Sequence, residues 1–220
     1  MRHHAGATSQ NEEVPRFGVS EVPLAVVGFL HRIPPRMNKS VSTNQAVFLD
    51  RDGVLMEDSN YVGELERVII IPAAYTALKR LQAAGFKLLV VTNQSGVGRG
   101  FFTHEHVNIV HAHLDEQFAR HGVRIDRYYV CPHHPDDNCA CRKPSPKSLR
   151  DAAAEFGLDL ARCYMVGDRA SDIQAGRNAG TRTVLVLTGS GSQTLAEGKV
   201  TPDHVARDIN EAADWILAQP

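Results

Sequence analysis

Val47-Phe48-Leu49-Asp50-Arg51-Asp52-Gly53-Val54 decides how the rest of the chain is read. Its apolar half has the composition of a buried strand, and it stops at two carboxylates one residue apart, followed by glycine. Alternation along an extended backbone puts Asp50 and Asp52 on one side and Arg51 on the other, and Gly53 lets the chain turn sharply. Two carboxylates at the end of a buried strand repel one another and are costly to desolvate. The pattern therefore calls for a cation or for a division of roles between them. Taken alone, Asp-x-Asp-Gly also suits an ordinary turn or a calcium loop, so the other strand ends must decide.

Downstream of Gln45, short apolar runs alternate with helical periodicity. Pro72 opens a helix with Ala73, Ala77, Leu78 and Leu81 at helical spacing, and Gly85 stops it. Thr103 caps a second helix, with Val107, Val110, Leu114 and Phe118 on one face, ending near Gly122. Ser145-Pro146 starts a third that runs to Gly157, Asp172 to Ala179 forms a short one, and Ala212, Ala213, Trp215, Ile216 and Leu217 mark the last. Strands are predicted at Lys87–Thr92, Arg127–Cys131, Cys163–Val166 and Thr183–Leu187. Strands alternating with helices predict a Rossmann-like α/β/α fold of three layers with a mainly parallel sheet. Right-handed crossovers then place every strand's carboxyl end, and any ligand, along one edge. About 20 residues separate Asp52 from Pro72, too few for a large cap domain, so the site is expected to be open.

The charge balance narrows the partners. With 24 basic and 25 acidic residues among 220, the formal net charge is −1, which argues against nucleic acid and anionic membranes and for small molecules. No apolar run approaches the roughly 20 residues that cross a bilayer. Three of the four cysteines crowd together at Cys131, Cys139 and Cys141, unlike a disulfide framework, and point to a reducing, cytoplasmic setting. The chain is expected to act as a monomer. Residues 1–40 differ in composition, and their apolar piece Val22–Leu30, broken by Pro23, lacks the position and cleavage site of a signal peptide. They are expected to be a disordered extension, or upstream sequence ahead of a working start at Met37, with the folded domain spanning 41–220.

What leaves each predicted strand is Asp50 and Asp52, then Thr92-Asn93-Gln94-Ser95-Gly96, then the Cys131 loop with Arg142-Lys143-Pro144, then Gly167-Asp168-Arg169 with Asp172. In this order the set resembles the haloacid dehalogenase superfamily across roughly residues 45–190. The resemblance implies a Mg²⁺-dependent phosphatase, since an anionic nucleophile needs a cation to approach a phosphate ester. It implies Asp50 as the nucleophile that becomes an aspartyl-phosphate, Asp52 as general acid and base, and Thr92 and Lys143 as holders of the phosphoryl oxygens. Magnesium would be held by Asp50, the backbone carbonyl of Asp52 and Asp168, with Asp172 in an outer shell or orienting Lys143.

Between Cys131 and Cys141 the chain packs three thiols and two imidazoles into one loop, a set that satisfies tetrahedral zinc. The expected shell is Cys131, His133, Cys139 and Cys141, with His134 in reserve because adjacent histidines are not told apart by spacing. Four protein ligands make such a site structural, and Cys141 leads directly into Arg142-Lys143. Cys163 is expected in the core.

Cys-Pro-His-His-Pro, Cys-x-Cys-Arg-Lys-Pro, Leu-Asp-Arg-Asp-Gly-Val and Thr-Asn-Gln-Ser-Gly-Val-Gly-Arg-Gly are together similar to the D-glycero-D-manno-heptose 1,7-bisphosphate 7-phosphatase family. That family serves the synthesis of nucleotide-activated heptose for lipopolysaccharide and other surface polysaccharide. The histidinol-phosphate phosphatase branch shares the zinc loop and remains an alternative. A catalytically silent zinc-stabilised module is an alternative of another class, against which the full set of acids and Lys143 speaks. Arg169 stands where the heptose branch often has lysine, and the loop from His133 to Cys139 is short, which leaves substrate and anomer open. Substrate contacts are expected from Arg51, Asp58, Ser59, Asn60, Tyr61, Asn93, Gln94, Ser95, Arg99, Arg142 and Arg169, the arginines being suited to a phosphorylated sugar.

Overall fold

In the computed structural model the described residues are 44–59 and 61–220, so the expectations for residues 1–40 and for Asn60 lie outside them. Six parallel strands form the sheet: β1 (Ala46–Leu49), β2 (Lys87–Asn93), β3 (Arg127–Cys131), β4 (Tyr164–Gly167), β5 (Arg182–Val186) and β6 (His204–Ala206). Their order is β3-β2-β1-β4-β5-β6, so chain progression reverses direction between β1 and β4. At such a reversal the crossovers leave to opposite sides and open a crevice at the strands' carboxyl ends.

The helices are α1 (Pro72–Ala83), α2 (Ser95–Gly98), α3 (His104–Arg120), α4 (Lys147–Phe156), α5 (Ala170–Ala179), α6 (Gly191–Glu197) and α7 (Ile209–Leu217). Alternation along the strands sorts the core into two faces. Val47, Leu49, Leu88 and Val90 pack with Leu78 and Leu81 of α1, Leu114 and Phe118 of α3, and Ile216 of α7. Ala46, Phe48, Leu89 and Val91 pack on the other side with Leu149 and Ala152 of α4 and Ala175 of α5. Each fully buried Leu or Phe contributes on the order of 2 kcal/mol by leaving water, which is why these strands read as continuous apolar runs instead of alternating ones.

Sequence and structure differ in three elements and several ends. β6, α2 and α6 were not predicted, and each is short; α2 is a single turn of Ser-Gly-Val-Gly, which carries no helical periodicity. α5 begins at Ala170 instead of Asp172, because Asp172 occupies the third helical position and caps the helix by accepting the Arg169 N–H (2.9 Å). α7 starts earlier as well, capped by Asp208. The segment between Asp52 and Pro72 returns against its own start: Glu57 N–H donates to Ile69 O (2.8 Å) and Ile71 N–H to Leu55 O (3.0 Å). It forms a loop with one short helical turn at Leu65–Arg67 and no cap domain.

Candidate active site and metal centres

Because β1 lies between β2 and β4, the residues leaving these three strands meet. Asp50 N–H donates to Val166 O (2.9 Å), which keeps the chain after β1 against β4. The oxygens of Asp50, Asp168 and Asp172 come within 4.8 Å of one another, and all three residues are buried. Lys143 reaches them from the loop after β3, its Nζ 2.9 Å from Asp50 Oδ1 and 2.8 Å from Asp172 Oδ1. The ammonium donates to Val91 O (2.6 Å). Of these contacts only the one to Val91 has hydrogen-bond geometry; toward the carboxylates Lys143 acts as a counter-charge, and Asp172 Oδ1 has no hydrogen-bond partner among the described residues.

Gly53 closes this corner. Its φ of +79° is left-handed, and a Cβ there would stand 2.4 Å from Asp168 Oδ2. That oxygen accepts the Ser190 N–H (2.7 Å), while Asp168 Oδ1 is buried with no partner among the described residues. Sequence reasoning did not find the Thr188–Ser190 turn; only the fold brings it to Asp168, where Thr188 Oγ1 also donates to Gly53 O (2.5 Å).

Three carboxylates around one ammonium leave an excess of two negative charges when all are ionised. Burial, with Asp172, Asp168 and Asp52 nearby, pushes Asp50 up to about 8 against the pull of Lys143. Burial and then Asp172 push Asp168 up to about 7. Burial disfavours the Lys143 ammonium, but Asp172 and Asp50 outweigh it and hold that pKa above the ordinary lysine range. Hard oxygens, excess negative charge and an orphaned Asp168 oxygen fit a divalent cation, which would return these acids to their ionised form.

The structure corrects the expected direction of Arg51. β1 ends at Leu49, so strand alternation does not extend through Asp52, and Arg51 folds back onto that neighbour. Its Nη2 and Nε donate to Asp52 Oδ1 (2.9 Å) and Oδ2 (3.1 Å). Gln94 Nε2 donates to Asp52 Oδ2 and to Thr92 Oγ1, both at 2.8 Å, which leaves the Thr92 hydroxyl proton free. Asn93 is a brace: its side chain donates to Lys143 O (3.2 Å) and accepts the Lys143 N–H (3.1 Å).

These groups line a cleft of about 310 Å³ that also takes in Ser95, Arg99, Arg142, Arg169, Asp58 and Tyr61. Arg142 Nη1 is buried without a hydrogen-bond partner among the described residues. Arg169 pairs with Asp58 (2.6 Å), and the Arg99 guanidinium sits 5.9 Å from the centre of the Tyr61 ring. Ser59 is not among the lining residues; its carbonyl accepts from Arg67.

The second cluster lies where Arg142 and Lys143 begin. Cys131 Sγ is 3.4 Å from Cys139 Sγ and 3.7 Å from His133 Nδ1, and Cys141 Sγ is 3.3 Å from His133 Nδ1 and 3.8 Å from Cys139 Sγ. Zinc held at normal bond lengths gives tetrahedral edges of about 3.5–3.8 Å, so this donor set fits it. Burial, together with the Cys141 thiol, pushes Cys131 up to about 12, which a cation would reverse. His134 is engaged elsewhere, its Nδ1 accepting the Asp136 N–H (3.2 Å). The loop also grips α2 and its entry: Gln94 N–H donates to Cys131 O (2.7 Å) and Gly98 N–H to Pro132 O (2.8 Å).

The chain is similar to known proteins over most of the described residues. A HAD-hydrolase-like family model matches residues 140–212. The chain is 42% identical over 174 residues to D-glycero-beta-D-manno-heptose-1,7-bisphosphate 7-phosphatase of Pseudomonas aeruginosa, covering 78% of this chain and 97% of that one. It is 40% identical over 190 residues to the Escherichia coli K12 protein of the same name, covering 82% and 91%. It also superposes with a TM-score of 0.76 and 39% identity on the D,D-heptose 1,7-bisphosphate phosphatase of Bordetella bronchiseptica, a crystal structure with magnesium and phosphate, covering 79% and 98%.

Proposed function

The chain belongs to the family of D-glycero-D-manno-heptose-1,7-bisphosphate 7-phosphatases within the haloacid dehalogenase superfamily, and on that premise we propose that it removes the C7 phosphate to give heptose 1-phosphate. The observation that carries the reading is the convergence of Asp50, Lys143, Asp168 and Asp172 in one buried cluster, from which Asp50 and Lys143, with Thr92, line the cleft. Relatives named for the beta-anomer support that anomer as the substrate in preference to histidinol phosphate. Release of heptose 1-phosphate places the enzyme in the synthesis of nucleotide-activated heptose for surface polysaccharide.

Asp50, Asp168 and the Asp52 carbonyl would hold Mg²⁺, with Asp172 one step out, anchoring Lys143. When bound, the ion offsets charge on the phosphate so that an anionic nucleophile can approach it. An Asp50 oxygen attacks phosphorus as the bond to the C7 oxygen breaks, and Asp52 gives that oxygen its proton. Asp52, now a carboxylate, takes a proton from water; the water oxygen attacks the aspartyl-phosphate, freeing inorganic phosphate and restoring Asp50. Thr92 donates its free hydroxyl proton to a phosphoryl oxygen, and Lys143 balances charge. The unpartnered Nη1 of Arg142 suits the distal phosphate, with Arg99, Arg169 and Tyr61 bordering the sugar. Cys131, His133, Cys139 and Cys141 would hold zinc, which fixes the loop in place.

The enzyme works as a cytoplasmic monomer in this reading, which light scattering of the purified chain checks. Phosphate release from both heptose bisphosphate anomers and from histidinol phosphate, compared as kcat/KM, tests the substrate; equal or greater efficiency on histidinol phosphate would refute it. Asp50→Asn should lower kcat by at least ~10⁴-fold without lowering the melting temperature, and near-normal turnover would exclude Asp50 as nucleophile.

A further inference from the structure

Arg51 is the largest side chain wholly buried among the described residues, an expensive placement for a guanidinium with no role. Its fork covers both oxygens of Asp52 at 2.9 and 3.1 Å, and Gln94 supplies a third donor at 2.8 Å. A carboxylate gripped at both oxygens by a planar fork is fixed in rotation as well as position. Near enough to feel the Arg51 charge, α3 contributes His111, stacked on Tyr128 with ring centres 4.1 Å apart. Burial and then that charge push His111 down to about 3, so its ring stays neutral.

We propose that Arg51 is a positioning residue: with Gln94 it aims the Asp52 carboxyl at the leaving oxygen and then at the attacking water. The inference rests on the acid–base reading of Asp52. Gln94 bonds Thr92 with its other N–H, so the same pair sets Asp52 and Thr92 relative to each other.

The leaving group separates this role from the others. An alkoxide departs only with a proton, whereas nitrophenolate departs without one. Asp52→Asn, Arg51→Met, Arg51→Lys and Gln94→Leu are therefore each assayed in single turnover on the heptose bisphosphate and on 4-nitrophenyl phosphate. Arg51→Met should slow alkyl ester cleavage ~100-fold, the cost of a misplaced catalytic group, with KM nearly unchanged. Its first-turnover release of nitrophenolate should fall at least ~10-fold less, and Arg51→Lys should recover part of the loss. Gln94→Leu should show the same selectivity, and decides the question if Arg51→Met does not fold.

Equal losses on both esters, or a raised KM with kcat retained, would overturn the positioning role. If Asp52→Asn also loses both esters equally, the acid–base reading itself fails. If Asp52→Asn discriminates and the Arg51 and Gln94 variants do not, only the present inference falls.

Discussion

Lys143 shows at the residue scale why charge and burial must be reckoned together. The residue is 3% exposed, its ammonium in contact with two carboxylates and a backbone carbonyl. Removing it leaves Asp50, Asp168 and Asp172 facing one another with no counter-charge. Breaking a buried pair from one side costs about 3–5 kcal/mol, well above what a surface pair contributes. Above about pH 8, where Asp50 and Asp168 ionise, Lys143→Met is therefore expected to lower unfolding free energy by about 3 kcal/mol in the absence of Mg²⁺, and it should abolish turnover, as read by chemical denaturation and phosphate release. A variant as stable as the parent in that range would mean that the ammonium does not offset these acids. The sequence marks Lys143 because it follows Cys141-Arg142, but not that its ammonium donates to the Val91 carbonyl of β2 while facing Asp172 of α5; that depends on how near β2 and α5 stand.

At the scale of elements, the zinc loop does more than its sequence indicates. Adjacency in the chain links it to Arg142 and Lys143, whereas its grip on Gln94 and Gly98 follows only from β3 lying beside β2. A Cβ at Gly98 would stand 2.3 Å from His134 N, so α2 and the loop are packed with no room to spare. Zinc removal, or Cys139→Ser, should lower melting temperature and turnover together, with turnover falling on the order of 100-fold, and added Mg²⁺ should not restore either. Unchanged melting after metal analysis shows the zinc gone would count against a structural role. Elements with long periodic patterns, α1, α3 and the first five strands, were legible in the sequence, as were the cysteine spacing and the acids at strand ends. β6, α2 and α6 were not, being too short for a period to register. The Thr188–Ser190 turn was missed because its contact with Asp168 is made by a backbone N–H, which no side-chain pattern announces.

For the whole molecule, the acidic cluster ties stability to pH. Asp50 and Asp168 are raised from 3.8 to about 8 and about 7, so between about pH 4 and pH 8 the native protein binds more protons than the unfolded chain. Stability without metal therefore falls as pH rises through that window, the reverse of the usual salt-bridged carboxylate. A divalent cation bound by the ionised acids replaces those protons, so its stabilising effect should grow over the same range. Melting with and without a few millimolar Mg²⁺ should show a larger metal-induced rise near pH 8 than near pH 5. The Asp50→Asn variant, lacking one of the two shifted acids, should show a smaller difference between the two pH values. A metal-induced rise equal at both would separate Mg²⁺ binding from the protonation of Asp50 and Asp168, and would move the cation away from the junction of β1 and β4.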